Sequence, residues 1–174
     1  MVNDYIYWAQ EWFNKGNWAK ALEEISKAIK HSPNDGFLYH IQGDIYRSIT
    51  QPQIALKKYG KAVELGYKDS KHEIFAIESV KEEAVEKYEA VLYKCFGFHF
   101  VIAVLSALAG GQIQFNVIAS VCGLLGMILI LRLSVSKFSK EAKALLNTSL
   151  SVNIIATILL LSFVALPFIL GLTL

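Results

Sequence analysis

Apolar and polar positions alternate along the first half of the chain with helical periods, broken by turn signals. From Asn3 to Asn14 a helix is expected, followed by a turn at Lys15-Gly16-Asn17 and a second helix from Trp18 to about His31. Ser32-Pro33-Asn34-Asp35-Gly36 is a strong break. A third helix is expected from Phe37 to about Ile49, a turn near Gln51-Pro52, and a fourth helix from Gln53 to Leu65, stopped by Gly66. Ser70 can cap the next helix, with Glu73 three residues on as in a capping box. In that helix Ile77, Val80, Ala84, Tyr88 and Val91 recur on one face, while Glu82, Glu83, Glu86, Lys87 and Glu89 lie on the other.

Beyond Lys94 the pattern changes. Residues 95–109 form a charge-free run ending at Gly110-Gly111; a second run begins at Asn116 and continues to Leu131, and a third spans Leu150 to Leu174. Spanning helices need about 20 apolar residues, so these runs predict about three membrane helices, approximately 93–110, 116–133 and 150–172. The first run is short, and a re-entrant or interfacial hairpin of runs one and two is the alternative to a transmembrane hairpin.

Charge sharpens the division. Residues 1–94 carry 13 Lys+Arg and 14 Asp+Glu, whereas residues 95–174 carry four basic residues and one acid, Glu141. Those five charges all lie between Arg132 and Lys143, in the loop between runs two and three. Basic loops stay on the cytoplasmic side, so Arg132, Lys137, Lys140 and Lys143 place both this loop and the first half there, with Leu174 on the far side. Asp4 and Glu11 interrupt the N-terminal stretch and no apolar core follows, so no signal peptide is read. The pI of about 8.4 comes from this one loop. Lys57, Lys58 and Lys61 fit a solvated helix face, and no basic stripe suggests nucleic acid.

The first half also repeats itself. At one fixed spacing, about 34 residues, Ala9 matches Gly43, Trp12 matches Tyr46, Ala21 matches Ala55, Ile25 matches Tyr59 and Ala28 matches Ala62. Small residues fall on small and bulky on bulky. The small ones let paired helices approach, the bulky ones fill the gaps, and one such unit cannot bury its face alone. The candidate core is therefore Ala9, Trp12, Ala21, Ile25, Gly43, Tyr46, Ala55 and Tyr59, and the crowded Trp8, Trp12 and Trp18 are assigned to packing as well.

Two units of this period and pattern resemble tetratricopeptide repeats. The first unit has Gly16, Trp18, Ala21, Ala28 and Pro33 at the family's glycine, aromatic, alanine and proline positions; the second has Gly43, Tyr46, Ala55, Tyr59 and Ala62. The second departs at Thr50 and Pro52 in its turn and has Tyr67 where the closing proline would stand. The resemblance covers about residues 2–69. It implies an all-α fold of two helical-hairpin repeats (1–69), a capping or linker helix (70–94) and a transmembrane helical segment (95–174). It also implies a concave face that binds a protein or peptide, lined by Asn3, Ile6, Gln10, Phe13 and Asn14 from the first unit and Phe37, His40, Asp44 and Arg47 from the second. Repeats that grip the acidic tails of heat-shock chaperones use lysines, asparagines and an arginine. Ile6, Gln10 and Asp44 occupy those positions here, and an aspartate repels a carboxylate, so that partner is disfavoured.

No nucleophile with a base, paired carboxylates, phosphate loop or metal spacing is recognisable, so neither catalysis nor a metal or other cofactor is expected. Cys95 and Cys122 lie in apolar stretches and read as small buried residues. Within the apolar runs His99 is the one ionisable residue and reads as a headgroup-level side chain; Asn153 and Thr157 share a face that could bind other membrane helices; Pro167 predicts a kink. The expected function is a membrane-anchored scaffold or adaptor that presents a repeat groove to a partner, with association among membrane proteins in reserve. The alternative is an accessory subunit of a transport or channel complex whose membrane helices do the work.

Overall fold

The computed structural model describes residues 1–108, 126, 129–130 and 133–146, and for His99 and several other residues of that stretch the backbone alone. All regular structure among them is helical. The helices are α1 (Val2–Asn14), α2 (Trp18–His31), α3 (Gly36–Ser48), α4 (Pro52–Glu64), α5 (Ser70–Leu108) and α6 (Lys140–Leu146). Val2, Gly36 and Ser70 open α1, α3 and α5 at equal intervals, and Trp18 and Pro52 open α2 and α4 at that same interval. The period read from side chains is thus also a period of backbone geometry.

Local chemistry sets the boundaries. Asn17 Oδ1 accepts from Lys20 N–H at 3.2 Å and caps α2. Asp35 Oδ1 accepts from Phe37 N–H at 3.0 Å and caps α3, and Pro52 opens α4 where no N–H is needed. Three helices end in the same left-handed turn. Asn17 N–H reaches back to Trp12 C=O (2.8 Å), Gln51 N–H to Tyr46 C=O (2.9 Å) and Tyr67 N–H to Ala62 C=O (2.9 Å). The preceding residue must then take positive φ, which Gly16 (72°) and Gly66 (93°) do freely and Thr50 (61°) does under strain. Thr50→Gly is expected to stabilise the fold by about 1 kcal/mol, the β-branched penalty outweighing the extra chain entropy of glycine. A raised midpoint in thermal unfolding checks it; no change would show that the turn already relaxes around threonine.

The chain divides into two compact units, Met1–Lys81 and Glu82–Leu174. In the first, α1 pairs with α2, α3 with α4, and α2 packs on α3. Ala9, Ala21, Ile25, Ala28, Leu38, Ile41 and Ile45 form its central core, with Trp12, Phe13 and Trp18 partly buried against it. Ala55, Tyr59, Ala62 and Ile77 are wholly buried too. Trp12 lies beneath two ammonium groups, Lys20 Nζ at 4.1 Å and Lys15 Nζ at 5.3 Å from its ring centre. Trp8 departs from the packing role assigned to it. It is 48% exposed and stands edge to face with Tyr7 at 5.4 Å. The main neighbour of α1 is α2, whereas α3 packs on both α2 and α4, and Gln42, the counterpart of Trp8 one repeat on, is buried there.

The second unit contains the rest of α5, the helical residues 133–136, a turn and α6. α5 is a single helix of 39 residues, roughly 58 Å long at ~1.5 Å per residue, with no break at Lys94 or Gly97. Ala84, Leu92 and Cys95 are buried along it, while Glu82, Glu83, Glu86 and Lys87 are exposed. Among the described residues no helix is long and apolar enough to cross a membrane. The expected helices 116–133 and 150–172, together with Cys122, Asn153, Thr157 and Pro167, lie wholly or largely outside the described residues.

Candidate functional site

The residues expected to line a groove fall into two groups with different surroundings. On α1, Asn3, Gln10 and Asn14 are exposed, and between them Ile6 and Phe13 pack partly into the core. Phe13 meets Trp18 edge to face at 5.0 Å. This stripe has the mixture a peptide-binding face needs: polar groups open to solvent beside half-buried apolar ones.

The α3 group is engaged within the protein. Spacings of three and four put Phe37, His40, Asp44 and Arg47 on one face of α3, and that face meets α4, the α4–α5 turn and the start of α5. His40 Nδ1 hydrogen-bonds Ser70 Oγ at 2.9 Å. The His40 ring lies 4.9 Å from Tyr67, 5.5 Å from Tyr59 and 6.5 Å from Phe37, centre to centre. Asp44 Oδ1 accepts from the Tyr59 hydroxyl at 2.7 Å. Arg47 Nη1 pairs with Glu73 Oε2 at 2.5 Å.

Ser70 and Glu73 therefore serve a different purpose from the capping box expected of them. Ser70 is the first helical residue of α5, and both side chains tie α5 to α3. Ser70, His40 and Asp44 lie along one seam. Their residue types match a nucleophile, a base and an acid, but the Ser70 hydroxyl is wholly buried and engaged by His40 Nδ1. His40 Nε2 and Asp44 Oδ2 are 3.6 Å apart, too far for a hydrogen bond. The trio is a clasp between helices.

Tyr59, Tyr67, Ser70 and Glu73 are the members of this cluster that sequence reasoning did not place in it. The signal available was the interval from Gly36 to Ser70, which equals the interval from Val2 to Gly36.

Burial, the hydrogen bond to Asp44 and the Asp44 and Glu73 charges push the Tyr59 phenol far above its ordinary value of 10.0, against a smaller opposing effect of Arg47. Burial, with Asp69 and Asp44 nearby, raises Tyr67 as well. The sign follows directly. The folded state holds the Tyr59 proton more tightly than the unfolded chain, so this stability is complete below about pH 10 and is lost as pH rises further. Tyr59→Phe is expected to cost about 1 kcal/mol near neutral pH, for the lost hydrogen bond, and to flatten the alkaline fall in stability. Urea unfolding at about pH 8 and about pH 11 measures both; an equally steep alkaline fall in the variant would place its cause elsewhere.

No protein-family model, no curated protein and no solved structure matches this chain.

Proposed function

We propose that the chain is a membrane-anchored interaction module. Its first unit is a tetratricopeptide-type stack that binds a protein or peptide, and its apolar second half holds that stack at the cytoplasmic side of a bilayer. The observation that carries the reading is the recurrence of helix starts at one fixed interval through α1, α3 and α5, joined to the small-and-bulky pattern at the same period. The long charge-free runs after Cys95 support the anchor.

Within this reading the partner-facing residues are those of α1. His40, Asp44 and Arg47 hold α4 and α5 in place and Phe37 packs on Tyr67 in the turn between them, so their loss would disturb the fold along with any groove. The exposed Asn3, Gln10 and Asn14 are the residues of the proposed face that can meet a partner without dismantling the stack.

The test uses the full chain, solubilised and immobilised, beside a Gln10→Arg/Asn14→Arg variant. Retained thermal stability together with loss of a specifically captured protein supports the reading. Capture unchanged by the variant removes this face from it. The anchor is tested separately by alkaline washing of membranes from cells that make the chain: retention supports it, and release of the chain overturns it.

A further inference from the structure

Beyond α5, the described charges of the second unit all lie in one turn and the first residues of α6. Ser136 and Lys137 end a helical stretch, with Lys137 N–H on Ser134 C=O (3.2 Å) and Phe138 N–H on Val135 C=O (3.1 Å). Ser139 then caps α6 by accepting from Ala142 N–H at 3.1 Å. Lys143 Nζ reaches back across the turn to Ser136 C=O at 3.1 Å, which draws it towards Lys137. Lys137 and Lys140 are exposed, whereas Ala142, Leu145 and Leu146 on α6 are buried. Glu141 is the one acid anywhere in residues 95–174.

A second, independent observation lies just before this turn. Leu129 and Leu133, four residues apart, are each 58% exposed, and Ile130 is 39% exposed. Four residues beyond Leu133 stands Lys137. Exposed leucines and an exposed ammonium thus lie close together along the chain. Water disfavours such leucines; hydrocarbon does not. A bilayer changes from acyl chains to phosphate at its boundary with water.

We propose that the turn bearing Lys137, Lys140 and Lys143 binds the phosphate groups of anionic phospholipids, with Leu129 and Leu133 facing the acyl chains beneath. The inference rests on the membrane-anchored reading. Ammonium groups are flexible point charges suited to phosphate, and three of them beside a single carboxylate leave the turn cationic. The contact fixes the depth at which the second half sits and selects an acidic leaflet.

The experiment places the full chain in nanodiscs of phosphatidylcholine alone or with phosphatidylserine, and reads the acetylation rate of each lysine by mass spectrometry. Lys57 and Lys61, exposed on α4, are the internal reference. In serine-lipid discs the acetylation of Lys137 and Lys140 is expected to slow by about fivefold relative to that reference, and the protection to vanish at high salt. Unchanged rates in both discs, with the chain incorporated, overturn the proposal and leave the anchor standing. Equal protection by inorganic phosphate in phosphatidylcholine discs overturns the lipid assignment in favour of a soluble anion. A chain that does not enter either disc overturns the membrane reading on which the proposal depends.

Discussion

Replacing Gly43 with alanine is expected to lower the stability of the first unit by about 2 kcal/mol, or roughly 10 °C in midpoint. A Cβ built there would lie 2.5 Å from Tyr59 Cε1 and 2.6 Å from Cδ1. The ring has no room to retreat, because Tyr59 is wholly buried and its hydroxyl is held by Asp44 at 2.7 Å. On an open helix the same change would gain about 1 kcal/mol of propensity, so the loss reports the clash minus that gain. Gly60, inside α4 with nothing within 4 Å of its would-be Cβ, supplies the contrast: Gly60→Ala is expected to stabilise by about 0.5–1 kcal/mol. Tryptophan fluorescence follows both, since Trp8, Trp12 and Trp18 are the chain's three tryptophans and all lie in the first unit. Equal effects of the two substitutions would mean that α3 and α4 are not packed as described.

Much of this fold could be read in the sequence because its boundaries are local. Asn17, Asp35 and Pro52 announce helix starts, and Gly16 and Gly66 announce ends, each through backbone chemistry acting within a few residues. Thr50 marks the limit of that legibility. Its register repeats Gly16, yet threonine rarely takes positive φ, and the hydrogen bond from Gln51 to Tyr46 imposes it. The start of α5 was legible by period but not by pattern. Ile77 stands where Ala9 and Gly43 stood, so the small-residue signature fails and the segment reads as a cap.

The candidate face was half legible for a related reason. Spacing alone shows that Phe37, His40, Asp44 and Arg47 share one side of α3, but not whether water, a partner or another helix covers it. Ser70 and Glu73 decide that, from 30 and 26 residues away. Trp8 shows the converse. Its size and apolar surface argue for burial, but α2 is the main neighbour of α1, and place in the stack overrides residue type. A substitution at Arg47 tests the α3–α5 contact, whereas Gln10 and Asn14 are the sharper probes of recognition.

His40→Ala is expected to be the more damaging of two changes at the junction between α3 and α5, at about 3 kcal/mol against about 1 kcal/mol for Ser70→Ala. The histidine ring fills the space among Phe37, Tyr59 and Tyr67, and its removal leaves both a cavity and the fully buried Ser70 hydroxyl without its 2.9 Å partner. Ser70→Ala removes only the hydroxyl and leaves the ring packing in place. Because both changes break the same hydrogen bond, the double variant is expected to fall short of the sum by about 1 kcal/mol. The readout that separates a clasp from general core damage is hydrogen exchange along α5. Amides of residues 70–77 should lose protection in His40→Ala while those of α1 and α2 keep theirs, since Tyr5 stacks on His31 and the α1–α2 core lies outside the cluster. Uniform loss of protection through α1–α5 would make His40 an ordinary core residue; loss confined to the start of α5 would show that this ring and hydroxyl hold the long helix to the repeat stack.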